Sequence, residues 1–394
     1  MSSFKRKYVL CVACSFAAMI AIALPASSFG ASTKSSPHTA AKFKIALSLS
    51  YTGNDWQSEA ENLVKAEAAT PPYNKLVDLR VDVAGSEVTQ QIATFNNEVG
   101  AGEQAIITYP LSPTALNATV EQACAHHVLV FSYDGLITAP CAYNVHYNLV
   151  DLGYQAGLWL GKQLHGHGNI ALIHGIVGTA DDQEEVEGVQ MALAKYPGIK
   201  ITANAIGNWD QALIKTAFAS LLVSHPDING VWGITGCYPV YQVLKAQGHA
   251  MIPCAGGGTE AERMLMLPKS KGGQGLNNLS IGAPPFDGEL AFIQAVQVLQ
   301  GKHIPQDTII GTIDLNGTTV KLGTNPALGA NVYPESMVTP GFFDDFWSPL
   351  VEQGLTAALT GKPHKVSTAE PCAQVPGCRQ QAHLVINKTY PGGN

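Results

Sequence analysis

Apolar strand-like runs alternate with helix-length segments through most of this chain, and that alternation constrains its fold more than any other feature. The candidate strands are 43–49, 77–83, 104–109, 127–132, 143–147, 169–174, 199–205, 229–234 and 251–255. Between them 56–69, 87–100, 114–125, 151–164, 182–195, 209–224 and 238–247 read as helices. Strands spaced by helices of this length form βαβ units and parallel sheets. Right-handed crossovers then set the loop after each strand along one edge of its sheet, where α/β proteins hold their ligands. Two sheets are expected, because "HYNLVDLGYQAG" starts a helix leading from the first series into a second. After "IGAPPFDG", residues 288–300 read as a helix and "TIIGTIDL" as one strand, so the chain is expected to return to the first lobe. The organisation expected is a first lobe of 43–147 plus about 283–311 and a second of 148–282 plus about 312–360. A Pro-rich tail, 361–394, follows.

The N-terminus reads as an address, not as part of the fold. Lys5, Arg6 and Lys7 precede an apolar run, Tyr8 to Leu24, then Pro25 and "ASSFGAS". A basic head, an apolar centre and a small-residue zone describe a cleaved secretory signal over residues 1–30. A polar spacer occupies 31–42. The competing reading is an uncleaved anchor, because the run is nearly long enough to span a bilayer. Cys11 and Cys14 lie inside the run, too early for a lipoprotein cleavage cysteine. Cleavage near residue 30 removes three cations and no acid, leaving 20 Lys+Arg against 30 Asp+Glu, a formal charge of −10. That balance opposes nucleic acid and anionic lipid as partners.

Six cysteines remain, and an even count after export favours disulfides. Fifteen pairings are possible; the sequential one, 124–141, 237–254 and 372–378, is the most economical. No CxxC is left, and His126–His127 and His165/His167 lack the companions a metal site needs. No metal, cofactor or catalytic set is expected, since GxSxG, HExxH and an assembled Ser/His/Asp group are missing from the sequence.

The loop after the first strand, "SYTGNDWQ", presents rings and amides where a nucleotide fold would place glycines. Tyr51 and Trp56 suit the CH face of a sugar ring, and Asn54 suits its hydroxyls. The alternatives are that Trp56 packs as core and that Asn54 or Asp55 caps the helix. Tyr109 and Ser112 follow the third strand, and Tyr133 and Asp134 the fourth, so all four are expected toward the cleft. Asn148 falls at the first crossing, as a ligand contact or as a hinge. In "GTADDQEEVEG", Glu185 or Gln183 is the expected contact, with Asp181 and Asp182 assigned to helix capping. Thr235 and Gly257 end two second-lobe strands, and Trp209 starts a helix with a second possibility of ring stacking, core packing being the favoured role.

In order and spacing, "LSYTGNDWQ", "EVTQQIATFNNEVGAGEQAIITYPLSPTAL", "ALAKYPGIKI", "WDQALIKTAFASLLVSHPDINGVW" and "GAPPFDGELAFIQAVQVLQGKHIP" resemble type I periplasmic binding proteins of the sugar-binding, ABC-transporter class. The resemblance spreads over most of residues 43–312. It implies two Rossmann-like lobes joined by three crossings, closing on a ligand that is then delivered to a membrane permease, or occasionally to a receptor. It also implies a periplasmic monomer without enzymatic activity. Relatives often carry Arg after the tryptophan, where this chain has Gln57, and a ligand-binding Arg where it has Glu185 or Gln183. Gly236–Cys237 replaces the Asp-Glu pair often seen after "VW". The ligand expected is a small neutral sugar or polyol. The runner-up is a less polar or cationic one: an aromatic, a nucleoside or an amine.

Overall fold

The computed structural model describes residues 41–310 except Gly53, together with 313–316, 360–362 and 379–381. The signal segment and the Cys372–Cys378 pair lie outside the described residues. The first lobe carries β1 (Phe43–Leu49), α1 (Asp55–Ala69), α2 (Tyr73–Leu76), β2 (Val77–Val83), α3 (Val88–Gly100), β3 (Ala105–Thr108), α4 (Asn117–Ala125), β4 (Leu129–Tyr133) and β5 (Tyr143–Tyr147). The second carries α5 (Leu149–Gln163), β6 (His167–His174), α6 (Ala180–Leu193), β7 (Gly198–Ile206), α7 (Gln211–Ser224), β8 (Ile228–Gly233) and α8 (Tyr238–Gln247). It continues with β9 (Cys254–Ala255), α9 (Glu260–Met266) and β10 (Asn278–Gly282). The chain then returns through α10 (Asp287–Leu299) to β11 (Asp307–Ile310), and crosses again to β12 (Ile313–Asn316). A last strand, β13, spans Arg379–Gln381.

Two sheets result, ordered β13-β11-β5-β4-β3-β1-β2 and β12-β10-β9-β8-β6-β7. All pairings are parallel except the antiparallel β10–β12 and β11–β13. Helices on both faces of a parallel sheet bury its central strands, which therefore read as unbroken apolar runs. In β1 the five residues Ile45 to Leu49 are all buried. At the edge, β2 alternates and leaves Val83 exposed.

Three sequence expectations are corrected here. "TIIGTIDL" is not one strand: Thr308–Ile310 pairs with β5 in the first sheet, and Ile313–Leu315 pairs with β10 in the second. The apolar run continues through a crossing between sheets, which hydrophobicity alone does not mark. "NLSIG" is β10, overlooked because polar Asn278 and Ser280 interrupt its apolar pattern although both are buried. The tail contributes β13 to the first sheet, beside β11.

The disulfides Cys124–Cys141 and Cys237–Cys254 form, each closing a sequence separation of 17. The first ties the end of α4 to the approach to β5; the second joins the N-cap of α8 to β9. In the second lobe α5 and α6 pack at backbone distance. A Cβ on Gly153 would collide with the Glu185 carbonyl oxygen, so the glycine permits the approach that fixes Glu185.

Candidate functional site

In each sheet the strand order reverses direction around one central strand. In the first sheet β1 lies between β2 and β3; in the second β6 lies between β7 and β8. Crossovers leave in opposite directions from such a point and open a crevice at the carboxyl ends of the strands. The two crevices meet in a cleft cavity of about 600 Å³ including its mouth, within the size range of small-molecule sites.

Nine of the expected residues line it: Tyr51, Asn54, Trp56, Gln57, Tyr109, Asp134, Glu185, Thr235 and Gly257. The loop after β1 is organised by α1. Asn54 is the N-cap, its Oδ1 accepting from the Gln57 backbone N–H at 2.8 Å while its Nδ2 donates to the Tyr51 hydroxyl at 3.3 Å. Capping and cleft lining thus coincide in one side chain, and Asp55 is left exposed. Trp56 donates from Nε1 to the Ala283 carbonyl at 2.7 Å, holding its indole against the crossing into α10.

Four expected contacts fall elsewhere. Tyr133 stands behind the wall: it is buried, stacked on Trp56 at 6.3 Å and 14°, and its hydroxyl donates to Gln57 Oε1 at 3.0 Å. It positions two lining residues without lining the cavity itself. Ser112 accepts from the backbone N–H groups of Thr114 and Ala115, closing its own turn. Asn148 caps α5, accepting from Asp151 N at 3.1 Å, in keeping with its place at a crossing. Gln183 is exposed, since two residues from Glu185 on a helix is the wrong face.

Two residues assigned to bland roles line the cavity instead. Asp181 sits one turn before Glu185 on the same face of α6, and its Oδ2 accepts from the Tyr109 hydroxyl across the cleft. Its neighbour Asp182 holds the local fold, accepting from Gly175 N at 2.9 Å and from His174. Trp209 meets Tyr109 edge-to-face at 6.3 Å. Asn208 and Trp209 are both left-handed, with φ of 48° and 55°, which turns the indole inward. It packs on Gly175, where a Cβ would collide with the ring. Spacing on one helix face was the available signal for Asp181. The "GNWD" stretch carries no comparable signal for Trp209.

The site's electrostatics are one-sided. Asp134, Asp181 and Glu185 line the cavity, and no Lys, Arg or His does so among the described residues. Burial first, then the charge of neighbouring acids, pushes the Asp134 and Glu185 carboxyls well above their usual range. Asp181 rises less, to about 6: burial lifts it, while the Tyr109 hydroxyl and the charge on His146 oppose the rise. Asp287, which opens α10 and is fully buried, is also pushed well up. Burial and the acids raise the Tyr51 and Tyr109 hydroxyls, so both remain neutral donors. Thr235 Oγ1 and Asp181 Oδ1 are buried without a hydrogen-bond partner.

The sequence profile of the periplasmic binding protein domain matches residues 45–322, most of the chain. This chain belongs to that family. Among its relatives, the xylitol-binding protein of Mycolicibacterium smegmatis is 26% identical over 184 residues, 46% of this chain and 53% of the relative. The xylose/arabinose-binding protein of Sulfolobus acidocaldarius is 26% identical over 203 residues, covering 47% and 49%. The chain thus spans about half the length of the curated relatives it matches. Solved structures extend the likeness of fold further. An ABC transporter solute-binding protein from Thermobispora bispora superimposes with a TM-score of 0.69 at 23% identity, covering 84% of this chain and all of that one. A solute-binding protein from Mycobacterium smegmatis, with bound glycerol, gives 0.65 at 21% identity, over 74% and 99%. The two lobes, their largely parallel sheets and the crossings after β5, β10 and β11 are those of a type I periplasmic binding protein.

Proposed function

We propose that the protein captures a small polyhydroxylated molecule, a sugar or polyol, between its lobes and delivers it to an ABC permease. The observation that carries this reading is the composition of the cleft. Indole and phenol faces from Trp56, Tyr51 and Trp209 stand opposite hydrogen-bonding groups from both lobes. Ring faces suit the CH surfaces of a sugar while carboxylates, amides and hydroxyls address its OH groups. The names of the relatives, xylitol- and xylose/arabinose-binding, point to the same chemical class.

The mechanism is lobe closure about the crossings at 147–149, 282–287 and 310–313. We assign 43–147 plus about 283–311 to the moving first lobe and 148–282 plus about 312–360 to the second. Closure removes water from the cleft, strengthens its polar contacts and creates the joint surface that a permease reads. The protein acts as a periplasmic monomer exported by its N-terminal signal, and it binds without turning its ligand over. Among the described residues no helix is long and apolar enough to cross a membrane.

Thermal denaturation of the purified protein against pentoses, hexoses and their alditols tests the reading. At least one is expected to raise the melting temperature saturably and to be recovered chemically unchanged. A complete set without a shift removes the ligand class, and recovery of a converted product removes the claim of binding alone.

A further inference from the structure

The cavity has an imbalance that a neutral polyol leaves uncorrected. Asp134 follows β4 with a left-handed φ of 58°, and Asp181 and Glu185 share one face of α6, so the acids reach the cavity from both lobes. Behind them lie Asp182, Glu184 and Asp287, all of the same sign. The groups near them able to carry positive charge, His146 and His174, are already engaged, with Asp307 at 2.9 Å and Asp182 at 3.2 Å. Tyr51 and Tyr109, the titratable groups facing the acids from the first lobe, stay neutral.

Asp181 is 4% exposed, and its Oδ1 has no partner although the residue lines the cavity. The carboxyl groups of Asp134 and Glu185 line the same cavity. Hydroxyl donors would satisfy their lone pairs but leave the repulsion between them in place. A buried cluster of one charge is costly unless it is protonated or paired with the opposite charge. The raised carboxyl pKa values express that same cost. Two kinds of counter-charge come into question. A bare metal ion fits poorly, because no group of three or more carboxylates, imidazoles or thiols among the described residues is placed to hold one. An alkylammonium group is larger and brings three N–H donors with its charge. It also gains from lying near indole faces, and Trp56 and Trp209 both line the cavity.

We infer that the cleft selects a polyol bearing a protonated amine (an amino sugar or aminoalditol), its ammonium received by Asp134, Asp181 and Glu185 and its carbon skeleton held against Trp56 and Trp209. This rests on the proposed function and narrows it from neutral polyols to their cationic derivatives.

Titration calorimetry of the full mature chain at pH 7.5 tests it with matched pairs: 1-amino-1-deoxyxylitol against xylitol, 1-amino-1-deoxy-D-glucitol against D-glucitol, and D-glucosamine against D-glucose and N-acetyl-D-glucosamine. In at least one pair the amine is expected to bind at least 10-fold tighter than its neutral partner. That preference, read as the ratio of the two dissociation constants within each variant, should shrink 10-fold or more in Glu185→Gln and in Asp134→Asn. Equal or tighter binding of the neutral member in every pair overturns the inference and leaves polyol capture standing. Binding of no member overturns both. The comparison within the unmodified protein needs no variant, so it stands even where a substitution impairs folding.

Discussion

The two lobes share an architecture but bring different chemistry to the cleft. The first offers mainly rings, Tyr51, Trp56 and Tyr109, with Asp134 as its one acid. The second offers two acids on a helix, Asp181 and Glu185, with Trp209 as its one ring. Ring faces are set by stacking, as Trp56 is by Tyr133; the acids are set by backbone, through the close packing of α5 on α6. Such a division separates recognition of shape from recognition of donors and charge, and it makes the lobes experimentally separable.

Their disulfides give the largest contrast. Each closes a similar loop, and removing either is expected to cost about 3 kcal/mol of stability. Cys237 and Cys254 flank the loops carrying Thr235 and Gly257, whereas Cys124 and Cys141 lie away from the cavity lining. Cys237→Ser/Cys254→Ser should therefore also weaken ligand binding, and Cys124→Ser/Cys141→Ser should not. Chemical denaturation with parallel calorimetry on both double variants decides it; equal affinities would dissolve the contrast.

Next in size is Trp56→Ala, which removes a ring face and its bond to Ala283. A loss of about 2–3 kcal/mol in binding, or roughly 30- to 100-fold in Kd, is expected. A calorimetric Kd within threefold of the parent would mean that the first lobe does not read shape through this ring. A subtler probe is Gly175→Ala, which displaces Trp209 without altering a lining residue. Affinity should fall about 10-fold, roughly 1.4 kcal/mol. Quenching of tryptophan fluorescence by acrylamide should report the displaced indole.

The smallest effect is on the pH slope of stability. Asp181 holds its proton more tightly when folded than the ordinary 3.8, up to about 6. The folded state therefore binds more protons than the unfolded one between those values. Its contribution is full below about 4 and is lost as pH rises through about 6, with a slope of at most about 1.4 kcal/mol per pH unit. Asp181→Asn should flatten the guanidinium unfolding profile across this window. Retention of the full slope would assign it to the other acids.

Much of the fold was legible because buried and edge strands leave patterns unlike those of the helices between them, and 43–49, 77–83 and 143–147 match the observed strands to the residue. What escaped was connection. Ile309 and Ile313 belong to one apolar stretch yet pair in different sheets, a fact that resides in the partners and not in the stretch. At the site, loops after strands were informative since topology fixes which edge they reach. Asp181 was hidden because an acid in the first turn of a helix suits capping and ligand binding equally well. Gln183 and Glu185 were separable by helical phase once α6 had a defined start. Trp209 depends on two left-handed residues and a glycine 34 positions earlier, a combination no local pattern reveals.

The Tyr109 hydroxyl and the Asp181 carboxylate join the two lobes across the cleft. On the proposed closing mechanism each opening would hand both to water, and for a charged acceptor that exchange leaves a net difference of about 1.5–3 kcal/mol. The bond therefore bears less on what the protein chooses than on how long it holds it. By that mechanism it would lengthen the dwell before unloading for every cargo alike, and a permease emptying the cleft would have to draw the lobes apart.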